Sequence, residues 1–555
     1  MKVNADVIRI YKSVHTWVGI ISGMALFIAF YAGSLTIFKD TLTDWATPPI
    51  ESAEITPLAE MPDFIARIIA AEPEATGTLL VSLDPEVQHT HQVLWMVEDE
   101  NAGDHDVSAN RYYTAHLNTN DELITEEVHP APVADFIDTL HRVVGLPVDS
   151  DPNRWIMGIF SGLYALALVS GLIILLPILV KELFAFRLGR KPKRVWLDAH
   201  NVVGVTSLPF HIIMVCTAFV FAYHDLLYGA QNEFIHDGKI REAFFADAPK
   251  PVTGQSTNPA EMVSTEKLIA TAQALSPNFK PYQIEFTALT TPRASVRIWG
   301  HDDKAIAPRH PGGFVAINPY SGEVQSTEYL PGKQSGGMVA VSSFFALHFA
   351  TYGGSPIRWA YFILGLAGAW LFYTGNLLWL ENRRKRQKAK EPDPVQRKDV
   401  TILAILTVGV CLGSVCGISL MLATTKWLSG QSIAVFSSFQ WVYYLMFFAA
   451  IGWSLLRGAA RSLVDLLWLA TVLTAAIPLS SLIGLIVPAT GLWMHTEYNL
   501  LLVDAIALLM AGGFATLAKA TMRRVYHGEA RDSIWAYQPK PIEKTDTLQN
   551  PYSIK

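Results

Sequence analysis

Eight stretches of the chain stay apolar for about the length of a bilayer crossing: roughly residues 15–38, 155–180, 197–223, 357–380, 400–424, 438–456, 462–487 and 494–518. About 20 consecutive apolar residues span hydrocarbon as a helix, and the Gly, Pro and Ser inside several of these runs are tolerated there. The pattern predicts a polytopic α-helical membrane protein with about eight transmembrane helices. Between the runs lie two long polar segments, 39–153 and 225–355, where the period changes. Residues 77–96, 109–128, 282–299 and 313–329 alternate in the manner of strands, and 57–71 and 259–275 read as helices preceding them. Each segment is expected to be a small α+β domain. The organisation predicted is helix 1 (1–38), first domain (39–153), helices 2 and 3 with a basic loop (154–224), second domain (225–355), helix 4 with a basic loop (356–390), a four-helix extension (391–525) and a tail (526–555).

Charge orients this pattern. Lys181, Arg187, Arg190, Lys191, Lys193 and Arg194 follow the second run, and Arg383, Arg384, Lys385, Arg386, Lys388 and Lys390 follow the fourth. Arg457 and Arg461 lie in a third such connection, and Arg523 and Arg524 follow the last run. By the positive-inside rule these segments and both termini are cytoplasmic, and the two long segments, the first strongly acidic, are outside. The N-terminus, with Lys2, Arg9 and Lys12 before an apolar run, is read as a retained helix: the run is long for a signal peptide, and Lys39 and Asp40 follow it in place of a cleavage site. The expected location is a bacterial inner membrane, with the large loops periplasmic. Cys216, Cys411 and Cys416 all fall in apolar runs at no zinc or iron–sulfur spacing, so structural thiols are expected and the outer domains fold without disulfides.

An internal repeat organises the first four helices. Tyr11-Lys12-Ser13-Val14-His15-Thr16-Trp17-Val18-Gly19-Ile20 and Trp196-Leu197-Asp198-Ala199-His200-Asn201-Val202-Val203-Gly204-Val205 share aromatic-x-x-x-His-x-x-Val-Gly. Leu140-His141 before Arg154-Trp155 has its counterpart in Leu347-His348 before Arg358-Trp359, and a small pair, Ser170-Gly171 or Thr374-Gly375, follows each Arg at the same distance. The copies run the same way, which predicts a pseudo-two-fold axis along the membrane normal. The turn Asn118-Thr119-Asn120-Asp121 is matched by Asn318-Pro319-Tyr320-Ser321-Gly322-Glu323-Val324.

Over about residues 8–390 this order of motifs, together with Pro209-Phe210-His211 and the run Leu347-His348 through Tyr352-Gly353-Gly354, resembles the PepSY-associated transmembrane family, the iron-regulated membrane proteins that include ferrisiderophore reductases. The resemblance implies a PepSY-type domain in each large loop and, as in reductase members, haem held between histidines. It gives no role to residues 400–520.

The histidines point the same way on their own. A two-fold axis brings His15 opposite His200 on the cytoplasmic side and His141 opposite His348 near the outer face. Imidazoles paired from facing helices hold low-spin haem, and two haems b at two depths would form an electron path across the membrane. Their propionates would want cations: Arg142, Arg154 and Arg358 outside, Lys12, Lys193 and Arg194 inside. Taken singly, a histidine at a helix end is more often an interfacial polar group; the repeat is what favours ligation. His211 lies eleven residues, three turns or about 16.5 Å, beyond His200 on the same face, and its counterpart in helix 1 is Leu26. Either His211 replaces an outer ligand or it packs beside a haem. His224 is expected at the interface. Among His89, His91, His105, His116 and His129 no carboxylate or cysteine stands at ligand spacing, and His301 and His310 read as surface residues. Asp504, deep in helix 8, is a functional candidate by its cost in the membrane; with His495 it suggests a quinol or proton site or, more simply, a satisfied packing pair. Asp465 stands at a helix start, where the dipole favours it, and the aromatics of 436–448 read as lipid-facing or interfacial.

The sequence holds no dinucleotide fingerprint, Walker motif or His-Glu-x-x-His, no nucleic-acid module, and connections too short for a flavin or nicotinamide domain. Electrons are expected from a membrane quinol or a separate reductase. The expectation is a haem-b oxidoreductase of the ferric-siderophore-reductase type, with membrane lipid around it and a ferric siderophore as acceptor. Its rivals are a transporter for an iron-siderophore or another small solute, and a non-enzymatic PepSY-type sensor or protease-regulating protein.

Overall fold

The computed structural model describes residues 4–49, 55–84, 91–97, 110–149, 153–178, 192–244, 251–307, 312–385, 394–429, 436–527 and 534–537. His89, His105 and His310, and Lys181, Arg187, Arg190, Lys191, Arg386, Lys388 and Lys390 of the basic loops, lie outside the described residues.

Among the described residues seven helices are long and apolar enough to cross a membrane: α1 (Ala5–Thr36), α5 (Arg154–Leu175), α12 (Gly354–Arg383), α13 (Lys398–Leu428), α14 (Phe436–Arg457), α15 (Ala459–Ile486) and α16 (Tyr498–His527). A bent pair of shorter helices makes an eighth if the two are counted as one span. α6 (Pro192–Thr206) and α7 (Leu208–Ala222) meet at a bend of 67°. Pro209 sits in the first turn of α7, where its missing N–H and its ring are compatible with a helix start and not with a continuous helix. The bend corrects the straight-helix geometry expected for His200 and His211: they do not share one face of one helix.

Between the spans run α2 (Lys39–Ala46), α3 (Met61–Ala71), α4 (Val133–Arg142), α8 (His224–Phe234), α9 (Ile240–Phe244), α10 (Thr265–Leu275) and α11 (Gly336–Phe349). Among the described residues eight strands accompany them: β1 (Thr78–Ser82), β2 (Val93–Val97), β3 (Arg111–Leu117), β4 (Leu123–Val128), β5 (Lys280–Thr287), β6 (Ser295–His301), β7 (Gly313–Ile317) and β8 (Val324–Ser326). The strands form one antiparallel sheet in the order β4-β3-β2-β1-β5-β6-β7-β8. The two polar segments therefore share a sheet, joined where β1 pairs with β5 (Leu79 opposite Phe286, Val81 opposite Ile284). They also share a core: Leu79, Val81, Trp95, Ile284, Phe286, Ile298 and Ile317 pack with Phe64, Ile68 and Leu268 from α3 and α10. Alternation along the strands explains this, since every second residue faces the helices. Both outer hairpins close with the same device. The Asn118 side chain accepts from the N–H of Asn120 and Glu122, and that of Asn318 from Tyr320 and Ser321. The left-handed position falls on Asp121 in one and Gly322 in the other.

α1 lies at the centre of the first membrane unit, against α5, α12 and α4. Small residues set the distances: a side chain at Gly23 would meet Asn376, and one at Gly365 would meet Ser34. In the second unit, Gly409, Gly413 and Gly417 repeat every four residues along α13 and admit Ile451 with Ser454, Phe447 with Ala450, and Tyr443 of α14. The aromatic run of α14 is thus only half lipid-facing. Phe439, Tyr443 and Phe447 are buried, with Tyr443 and Phe136 of α4 in edge contact at 5.8 Å, while Trp441, Leu445 and Phe448 face outward.

Candidate functional site

The four repeat-related histidines meet in two pairs. His15 of α1 and His200 of α6 have ring centroids 6.4 Å apart, and His141, at the end of α4, lies 6.1 Å from His348 of α11. His141 docks on α1 at Ala29, fourteen residues beyond His15, so the two levels are separated by about 21 Å of helix at the usual rise.

Each imidazole is held by Nδ1. That of His15 donates to the carbonyl of Ala167 at 2.8 Å, and that of His141 to the carbonyl of Ala29 at 2.8 Å. A carbonyl only accepts, so Nδ1 carries the proton in both. His200 and His348 meet hydroxyls instead, Thr374 at 3.1 Å and Thr217 at 2.8 Å. Those hydroxyls also reach the carbonyls of Leu371 and Ile213, and with their protons given there the histidines again donate. The carbonyls fix His15 and His141 in the tautomer whose Nε2 presents a lone pair, the hydroxyl contacts of His200 and His348 are met by the same tautomer, and no described residue hydrogen-bonds to any of these Nε2 atoms. A metal-bound histidine needs this arrangement: one nitrogen tied to an outer partner, the other facing the metal. Burial lowers the pKa of His141 and pushes that of His348 down to about 3, which keeps both neutral.

A cavity of about 310 Å³ opens between His141 and His348. Phe30, Met157, Tyr164, Phe210, Met214 and Tyr361 line its apolar part, and Lys39 and Asp138 stand at its rim. Gly33 and Gly365 keep it open; a Cβ on Gly33 would come within 2.7 Å of the His141 ring. Ser161, 1% exposed, lines the same space, and its hydroxyl has no partner. At the other level Gly171 and Gly375 lie beside the rings of His15 and His200, where a Cβ would stand at 3.0 and 3.7 Å. These features fit a flat, largely apolar group with iron at its centre. Ring centroids about 6 Å apart would leave room for one metal ion between each pair of imidazoles, given metal–nitrogen bonds of about 2.0 Å and a ring radius of about 1 Å.

The other expected residues are placed differently. Arg154 donates to Nε2 of His224 and approaches Asp225 at 3.6 Å. Arg358 donates both Nε and an NH2 to the carbonyl of Ile37, and Arg142 approaches Asp138 at 3.4 Å. The cation lining the cavity is Lys39, paired with Asp135 at 2.8 Å and Asp138 at 3.5 Å. Burial works against its charge, but Asp138 and Asp135 outweigh that and raise its pKa. Sequence reading missed Lys39 because it looked like the polar edge of helix 1. It also missed Thr217, because a threonine inside a span carries no signal until its partner is known. His211 lies outside the cavity lining. Its Nδ1 shares a short hydrogen bond with the Tyr164 hydroxyl, and Phe30 and Phe210 surround it.

Asp504 belongs to a closed network. It accepts from Ser481 at 2.9 Å and from the indole of Trp45 at 3.3 Å. Lys426 donates to Ser481 at 2.7 Å and to the carbonyl of Trp493 at 3.1 Å, with its ammonium 4.3 Å from the Trp45 ring. His495 reaches the carbonyl of Thr47. This is the packing alternative for Asp504, with Lys426 as the partner that sequence reading did not name, and it ties the C-terminal helices to α2. Asp465 pairs with Arg457. Among the described residues no three His, Cys, Asp or Glu side chains converge as metal ligands.

The profile of the PepSY-associated TM region matches residues 12–382, a span that takes in both histidine pairs, the sheet and the cavity. The chain belongs to the PepSY-associated transmembrane family. The match ends where α12 ends, so the four C-terminal spans lie beyond the family region. A comparison with curated proteins finds no match.

Proposed function

We propose that this PepSY-associated membrane protein is a haem-b oxidoreductase that carries electrons to an acceptor on the sheet side, a ferric siderophore. The supporting observation is the common tautomer of His15, His200, His141 and His348, paired at two depths with Nε2 left for a metal. Haem iron, when bound, takes up and releases one electron at a time. The chain's own residues orient the imidazoles through Ala167, Ala29, Thr374 and Thr217, exclude water with Phe30, Phe210 and Met214, and offer Lys39 to a propionate at the cavity rim. The basic connections support a location of the sheet outside the cytoplasmic membrane, and the repeated motifs support a two-fold relation between the halves. The donor in this reading is a membrane quinol or a separate reductase, and reduction labilises iron because Fe(II) binds oxygen-rich chelators more weakly.

An absorption spectrum of the purified protein tests this. A Soret band with sharp α and β bands on dithionite reduction is expected; a colourless, folded preparation overturns the reading and leaves a peptide-binding or sensor role. Within it, Gly33→Ala should drive the His141 ring off the Ala29 carbonyl and lower haem content to about half. Unchanged haem per chain in that variant would count against His141 as a ligand.

A further inference from the structure

The two halves of the repeat agree at both histidine levels and part company between them. α5 and α12 align Arg154 with Arg358 and Ser170 with Thr374, so Tyr164 corresponds to Gly368. α1 and the bent pair α6–α7 align His15 with His200, so Leu26 corresponds to His211. One half therefore carries a tyrosine and a histidine where the other carries a glycine and a leucine. The two departures fit each other. Tyr164 and His211 share their short hydrogen bond, and a Cβ on Gly368 would come within 3.3 Å of the His211 ring and 2.5 Å of Phe30.

Along α5 this pair stands between the two levels. Ser161 and Tyr164 line the cavity at His141 and His348, and the carbonyl of Ala167, three residues beyond Tyr164, holds His15. Each three-residue step is about 4.5 Å of helix. His211 is 1% exposed, and its Nε2 has no hydrogen-bond partner. Tyr164 of α5, Phe30 of α1, Phe210 of its own helix and Gly368 of α12 surround the ring. Of titratable groups, Tyr164 touches it, and His200, eleven residues back and beyond the 67° bend, interacts with it through charge. No carboxylate, lysine or arginine among the described residues acts on it. The Tyr164 hydroxyl also lies 3.4 Å from the His211 carbonyl, beyond an ordinary O–H···O bond, so its proton goes to Nδ1.

An ionisable group inside a span is expensive and marks a function, and charge on this ring is costly because no group of opposite sign answers it. An electron held nearby, in the same low-dielectric surroundings, supplies the missing negative charge. We infer that Tyr164 and His211 form a proton-accepting site coupled to electron passage: Tyr164 passes its proton to Nδ1 of His211 and takes another from the cavity it lines. This rests on the reading of the histidine pairs as haem sites. One electron enters from the quinol or reductase and one proton enters from the cavity. The electron then leaves to the ferric acceptor, and the proton returns through Tyr164. The tyrosine ends each passage as a neutral phenol and is never oxidised.

Spectroelectrochemical titration of the haem-loaded full chain in detergent, between about pH 5 and 8, tests this. Reduction favours the protonated pair, so the midpoint potential of at least one haem should fall as pH rises, by up to about 59 mV per tenfold change in proton activity for one proton per electron. His211→Leu, which copies the other half of the repeat, should flatten the slope. So should His211→Gln, which keeps an acceptor for Tyr164 but takes no proton. A measurement on the unsubstituted chain needs no variant to fold: with ring-15N histidine, the reduced-minus-oxidised infrared spectrum should gain isotope-sensitive imidazolium bands. A potential independent of pH, or the absence of those bands, overturns the inference. A slope that survives in both His211 variants belongs to a propionate or to Asp138 at the cavity rim, and overturns it as well. A folded protein without a Soret band defeats the redox reading instead.

Discussion

Replacing His15 or His200 with Ala should remove one haem and leave the other, halving the haem per chain and keeping the spectrum of the pair at His141 and His348. His141→Ala or His348→Ala should do the reverse. The levels are about 21 Å apart along α1, far beyond the range over which independent sites couple. In the proposed reading two imidazoles would hold the iron at each level, so loss of one would remove half of its protein ligands. The neighbouring hydroxyls give a finer test. Thr374→Val or Thr217→Val keeps the shape but removes the acceptor that fixes the His200 or His348 tautomer. Loss of such an outer partner typically lowers metal affinity about 10- to 100-fold. Haem content by pyridine haemochrome, together with reduced spectra of each variant, decides the matter. Equal loss of both haems, or loss of neither, would show that the pairs are not separate sites.

The second large effect is expected in the C-terminal helices, at a network separate from the two histidine pairs. Asp504→Ala should destabilise the protein by about 3–5 kcal/mol, because it leaves Lys426, 2% exposed, without its counter-charge. Ser481 bridges the two charges, and Trp45 covers the ammonium while donating to the carboxylate. Removing both charges, as in Lys426→Met with Asp504→Leu, should restore most of the loss, since a well-packed apolar pair often matches a buried ion pair. Thermal unfolding in detergent reads this out. A double variant no more stable than Asp504→Ala would show that the charges do more than satisfy each other, and would revive a proton or quinol role for Asp504. Trp45 comes from α2, and Lys39 of the same short helix lines the cavity, so the network also holds the cavity rim in place.

Much of the architecture was legible in the residues. The spans follow from apolar runs, since a helix in lipid must satisfy its backbone internally and cover itself with hydrocarbon. The hairpins follow from strand alternation and from Asn at the head of each turn. The four histidines were found by comparing the chain with itself: the same residue type recurs at equivalent places in the repeated motifs, and that signal survives without coordinates. The acidity of residues 39–153 was equally plain.

Other features depended on long-range contact. The merger of two polar segments into one sheet rests on the pairing of β1 with β5, which hydropathy does not encode because any alternating strand can pair with another. Sequence proximity made Arg154 and Arg358 candidate anion partners, and only the fold shows that they meet His224 and the Ile37 carbonyl. Lys426 gained meaning only when Ser481 and Asp504, from other helices, were folded against it. The sequence by itself determined which segments are long and apolar enough to cross a membrane, which segments alternate as strands, and which side chains recur. Tertiary structure decided which nitrogen of each imidazole carries the proton and which cation guards the cavity, because tautomer and ion pairing are set by partners that lie up to several hundred residues away and meet only when the chain is folded.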